Sequence, residues 1–138
     1  MPPTLAIIKD NGAATEVARI AREAGVAPED IFVARTKADA LALIQKLIPD
    51  FAVVDPHLTE DERLEDGIEI IKTLRGLSRQ CIIICLTMQG TPELGIRALL
   101  VGANDHIDVS WAYINWHELL RQKLDLWKGV IASRHTRQ

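Results

Sequence analysis

The chain has 138 residues, 48% of them hydrophobic and 25% charged, with a formal net charge of -3. That is the size and balance of one soluble domain with a core of its own, and it excludes a disordered chain. The charge gives no whole-chain electrostatic reason for nucleic-acid binding, no apolar run approaches the ~20 residues that span a bilayer, and no secretory signal opens the sequence. The expected location is the cytoplasm, with neither membrane nor nucleic acid as a partner.

In chain order, Leu5-Ala6-Ile7-Ile8 is the first strand-like run, and it ends at Lys9-Asp10. A helix is expected over 13–24, with Val17, Ile20, Ala21 and Ala24 on one stripe and Gly25 as its C-terminal cap. A short strand follows at 31–34. Thr36 is placed to cap a helix over 37–47, with Leu41, Ile44 and Ile48 as its core residues. Pro49-Asp50 ends that helix and launches Phe51-Ala52-Val53-Val54, which delivers Asp55 to a loop at its carboxyl end.

An acidic loop carrying Glu60, Asp61, Glu62, Glu65 and Asp66 leads into a helix from Gly67 to Leu77. A solvated charged loop is the simpler account of those acids, and a cation site the sharper one. The unbroken apolar run Cys81–Leu86 suits a strand covered on both faces, and it ends at Thr87. Its two cysteines would sit roughly 13 Å apart at ~3.3 Å per residue, too far for a disulfide, so both are expected as small core residues. Thr91-Pro92 starts a helix that stops at Gly102, and His106-Ile107-Asp108 forms a last short strand. The final helix begins at Asn115, with Asn115 and Glu118 as a capping box, and runs to Ser133. One domain over 1–133 with a polar tail at 134–138 is the expected organisation, and nothing decides whether the chain stands alone or belongs to a longer one.

Five strands alternating with five helices imply a parallel sheet with helices on both faces. Right-handed crossovers favour a doubly wound sheet of order 2-1-3-4-5, whose ligand site lies at the carboxyl ends of strands one and three. Asp10 and Asp55 stand at those ends, with Thr87 one strand over. Two carboxylates and a hydroxyl at one rim could hold Mg²⁺ beside an aspartate able to accept a phosphoryl group. The plainer account is that strand-end loops are polar anyway.

The order of Asp10, Asp55, Asp66-Gly67, Thr87 and Gly102-Ala103 along nearly the whole chain resembles the receiver domain of two-component response regulators. The resemblance implies a flavodoxin-like (βα)5 fold, with Asp55 as phosphoacceptor and Thr87 as the hydroxyl that bonds the phosphoryl group. It further implies a Mg²⁺ site made by Asp10, Asp55 and the backbone carbonyl of His57. Its partners would be a histidine kinase, a phosphotransfer protein or an effector. Any catalysis would be limited to Mg²⁺-dependent self-phosphorylation and dephosphorylation at Asp55.

The sequence also departs from the family. The first of two expected acids after the first strand is Lys9, and the expected lysine and proline after the fifth are Val109 and Ser110. His106 takes the aromatic switch position. Lys9 should weaken a metal site by placing a cation at it. Three roles stay open for Lys9: an internal counterion that holds the rim in one state, a cation that reaches the phosphoryl group, or an outward-pointing residue at a decayed site. The leading expectation is an atypical receiver acting through protein–protein contact with impaired phosphorylation. The alternatives are a working receiver phosphorylated on Asp55 and, more distantly, a small-molecule-binding domain of the same fold. On the last helix, Leu120, Leu124, Trp127 and Ile131 should face the sheet. Leu119, Leu126 and Val130 form a second stripe, open to a homodimer contact anchored by Trp116 or Trp127 or to deeper packing.

Overall fold

In the computed structural model, which describes residues 3–9, 13–58, 65–87, 92–109 and 115–136, strands and helices alternate. They are β1 (Leu5–Ile8), α1 (Ala13–Glu23), β2 (Ile31–Ala34), α2 (Lys37–Lys46), β3 (Phe51–Val54), α3 (Asp66–Leu77), β4 (Ile82–Thr87), α4 (Pro92–Val101), β5 (Asp105–Asp108) and α5 (Trp116–Thr136). A single 3-10 turn, Pro28–Asp30, precedes β2. The strands form one parallel sheet in the order β2-β1-β3-β4-β5, as the alternation of elements predicts. Asp10, the acidic stretch at 60–62, Thr91 and Ser110 lie outside the described residues.

The two faces of the sheet bury separate cores, because successive side chains of a strand point to opposite sides. Ala6, Ile8, Ala52, Val54, Ile83 and Cys85 face α2, α3 and α4. Leu5, Ile7, Phe51, Val53, Ile84 and Leu86 face α1 and α5. Every residue of β1, β3 and β4 is buried, which accounts for their unbroken apolar sequence. Cys81 and Cys85 are free and buried in the first of these cores.

Local sequence sets the helix ends. The Asp39 N–H donates to Thr36 Oγ1 at 3.1 Å, closing the start of α2, and the Glu118 N–H donates to Asn115 Oδ1 at 3.3 Å at the start of α5. Gly25 terminates α1 with φ +93°, a conformation that side chains with a Cβ rarely adopt. One expectation needs correction. Ile48 is 50% exposed, because α2 ends at Lys46 and the extended backbone at Leu47 takes the following residue off the buried stripe. On α5, Leu119 of the second stripe packs onto the core and Leu126 is strongly exposed, while Trp127 of the first stripe packs against the core with its Nε1 donating to Asp105 Oδ2 at 3.0 Å. The helix continues to Thr136, past the expected boundary at 133. No helix among the described residues is long and apolar enough to cross a membrane.

The start of α3 is pressed against the strand end that carries Asp55. A Cβ on Gly67 would lie 2.0 Å from the Asp55 carbonyl oxygen and 2.5 Å from Pro56 Cα, both backbone atoms that cannot swing aside. Replacing Gly67 by alanine must therefore move the helix or the loop. Gly67→Ala is expected to lower unfolding free energy by about 3 kcal/mol, measured by urea denaturation. A loss below about 0.5 kcal/mol would show that this contact is not tight.

Candidate functional site

The site is assembled at the carboxyl edge of the sheet by strand register. Ile8 pairs with Val54 across β1 and β3, so the next residues, Lys9 and Asp55, emerge side by side. Backbone bonds hold both in line: the Lys9 N–H donates to the Ala34 carbonyl at 3.1 Å, and the Asp55 N–H to the Ile8 carbonyl at 3.0 Å. Lys9 is fully buried and Asp55 is 6% exposed.

Lys9 Nζ donates to Asp55 Oδ2 at 2.9 Å. The other carboxylate oxygen, Oδ1, accepts the His57 backbone N–H at 2.9 Å, an aspartate turn that bends the chain out of β3. Both oxygens of Asp55 are thus engaged by N–H donors, one of them a tethered cation. Taking two charges out of water is unfavourable, so removing either partner leaves the other buried and uncompensated. The Nδ1 atom of His57 is buried with no hydrogen-bond partner among the described residues.

Thr87 closes β4 and is buried. Its hydroxyl pairs with His106 Nε2 at 2.8 Å. The imidazole lies across α4 at Gly95, where an added Cβ would meet its Cε1 at 2.1 Å and its Nδ1 at 2.2 Å. Burial holds the His106 imidazole below the ordinary histidine range, with Asp108 pulling the other way. Burial also pushes the neighbouring Cys85 thiol up to about 12, so it is neutral and no nucleophile.

Around the mouth, ion pairs fasten the start of α3 to its neighbours. Arg97 of α4 pairs with Glu65, holding that carboxyl below its usual range. Lys37 of α2 pairs with Glu69 and lies 3.9 Å from Asp66. Two of the acids in the expected acidic loop are therefore drawn into contacts within the fold.

Of the residues singled out in sequence, the structure brings Lys9, Asp55 and the His57 backbone into contact and places Thr87 one strand away; Asp10 lies outside the described residues. An outward-pointing Lys9 does not fit its complete burial. At the end of β5, Val109 packs toward the α1–α5 core, so the described cation at Asp55 comes from β1. Sequence reasoning missed the His106–Thr87 bond. A glycine inside α4, which lowers helix propensity, was the available signal that something occupies that space.

The sequence profile of the response regulator receiver domain matches residues 5–113. The chain belongs to that family. It is 30% identical over 103 residues to the photosynthetic apparatus regulatory protein RegA of Rhodobacter capsulatus, a match covering 75% of this chain and 52% of that protein. The chain therefore spans about half the length of that curated relative. A protein from Chloroflexus aurantiacus assigned as a response regulator superposes with a TM-score of 0.74 at 26% identity, over 94% of this chain and 99% of the other. The signal receiver domain of a Vibrio parahaemolyticus protein assigned as a Luxo repressor gives a TM-score of 0.77 at 19% identity, over 100% and 98%. The chain is accordingly a receiver domain, a signal-transduction module.

The burial of the central pair gives a stability prediction. Lys9→Met, which leaves Asp55 unpaired, is expected to destabilise the fold by about 3 kcal/mol in urea unfolding at neutral pH. Combining it with Asp55→Leu should cost less than the sum of the single changes by about 2 kcal/mol. Simple additivity of the two would show that they are not coupled.

Proposed function

We propose that this receiver domain relays its signal through protein–protein contacts, with Lys9 as a built-in counterion to Asp55 and with phosphorylation of Asp55 impaired. The observation that carries the reading is the 2.9 Å bond between the fully buried Lys9 ammonium and Asp55 Oδ2. An ammonium at that distance neutralises the carboxylate and engages an oxygen that a phosphodonor or a metal ion would need.

The resemblance implies Mg²⁺ bound by Asp10, Asp55 and the His57 carbonyl. The described part of that set does not fit a divalent cation. The ion would have to displace a cation tethered to the strand, and Mg²⁺ requires near-octahedral oxygen ligation at about 2.1 Å. Thr87, the expected partner of a phosphoryl group, is bonded to His106 instead.

A contact role draws support from α4. Its outer face exposes Ile96, Leu99 and Leu100, at 56%, 43% and 80%, a concentration of apolar surface typical of interaction sites. The partners of this reading are proteins of the same signalling class: a histidine kinase, a phosphotransfer protein or an effector.

The test is intact-mass spectrometry after incubation with a small phosphodonor, with and without Mg²⁺. The expected result is little or no phosphoryl adduct on the native chain and Mg²⁺-dependent labelling of Lys9→Asp, in which the cation has become a carboxylate. An adduct on the native chain that requires Mg²⁺ and disappears in Asp55→Asn would overturn the reading in favour of a working receiver.

A further inference from the structure

His106 lies between two parts of the molecule, the end of β4 and the helix α4. Its Nε2 pairs with the hydroxyl of Thr87, at the rim, and its ring occupies the space that a side chain at Gly95 of α4 would fill. Register explains the placement. His106 is paired with Cys85, whose side chain faces the α2–α4 core, so the imidazole emerges on the α4 side of the sheet. We propose that His106 is a proton-operated latch: neutral, it clamps α4 to Thr87 at the Asp55 rim, and protonated, it releases the helix that carries the exposed Ile96, Leu99 and Leu100.

The physical case rests on what an imidazolium would lose in that position. A neutral ring can serve Thr87 through either tautomer, accepting the hydroxyl proton or donating to the oxygen. A charged ring can only donate, and it is held in a half-buried slot against an apolar helix face. Gly95 makes the slot tight, since a side chain there would occupy the ring's own space.

The charged and titratable groups around the ring are few. Asp108 on β5 favours the protonated form but does not outweigh burial. On β4 the neighbours are the Thr87 hydroxyl and the Cys85 thiol, neutral because burial raises it to about 12. On α4 the charged residues Glu93 and Arg97 are exposed, and Arg97 is paired with Glu65.

The sign follows. Because the folded state favours the neutral ring, the stability gained from the latch is complete above the ordinary histidine pKa of about 6.5 and is lost as pH falls through the lowered folded value. The inference uses only β4, β5 and α4, and it stands whether or not Asp55 accepts a phosphoryl group.

The experiment is a pH titration of the isotopically labelled chain by NMR between about pH 8 and 5. It follows the His106 ring nitrogens together with the backbone amides of Gly95 to Leu99. The expected result is a His106 midpoint below about 6.5, with the α4 amides moving at that same midpoint. In His106→Phe, which keeps an aromatic ring but carries no proton, the α4 amides should lose this pH dependence. Gly95→Ala, which forces the ring out, should return the His106 midpoint to about 6.5. α4 amides that stay still while His106 titrates would overturn the proposal, as would amides that move identically in His106→Phe.

Discussion

The buried contact between Lys9 and Asp55 is the constraint on which the rest of the rim depends. Lys9 is fully buried and Asp55 nearly so, so each requires the other, and both require the strand register that sets them side by side. That register follows from placing β1 and β3 next to one another, which in turn follows from the doubly wound order of the sheet. The His57 N–H completes the arrangement by holding the second oxygen of the carboxylate, so Asp55 has one orientation. A cation tethered to β1 differs from a bound metal ion in one respect that matters for signalling. It is fixed to the chain and cannot exchange with solvent.

Most of the fold was legible because the sequence is locally consistent. Unbroken apolar runs at 51–54 and 82–86 describe strands covered on both faces, and Thr36, Asn115 and Gly25 mark helix ends by ordinary capping chemistry. Ile48 shows where such reading runs out. Its spacing continued the stripe of α2, but the helix had already ended at Lys46. Periodicity assigns a face only while the helix lasts.

The site was harder to read for a different reason. A lysine following a strand ordinarily belongs to solvent, because its stem can lift the ammonium into water. Whether Lys9 turns inward depends on Asp55, which lies 46 positions away in sequence and becomes a neighbour only through the sheet. The same holds for His106 and Thr87, 19 positions apart and brought together by the pairing of β4 with β5. Residue types and strand ends located the rim. Contacts between strands, which no local pattern encodes, decided which groups at the rim face each other.

β5 connects these observations. It lies at the edge of the sheet, and three of its four residues are polar, a composition common on edge strands. Here the polar residues hold the flanking helices rather than only facing water. Asp105 binds Lys123 and Trp127 of α5, while Ile107 enters the core on that same face. His106 turns the opposite way, onto α4 and Thr87. Adjacent residues of one short strand therefore fix helices on opposite faces of the sheet. Asp105 is bonded to two side chains of α5, whereas His106 reaches α4 through packing on a glycine and reaches the rim through one hydrogen bond. α4 is also tied by Arg97 to Glu65 and, at its end, by Arg75 to the Gly102 carbonyl, and it is the helix with the most exposed apolar face among the described residues.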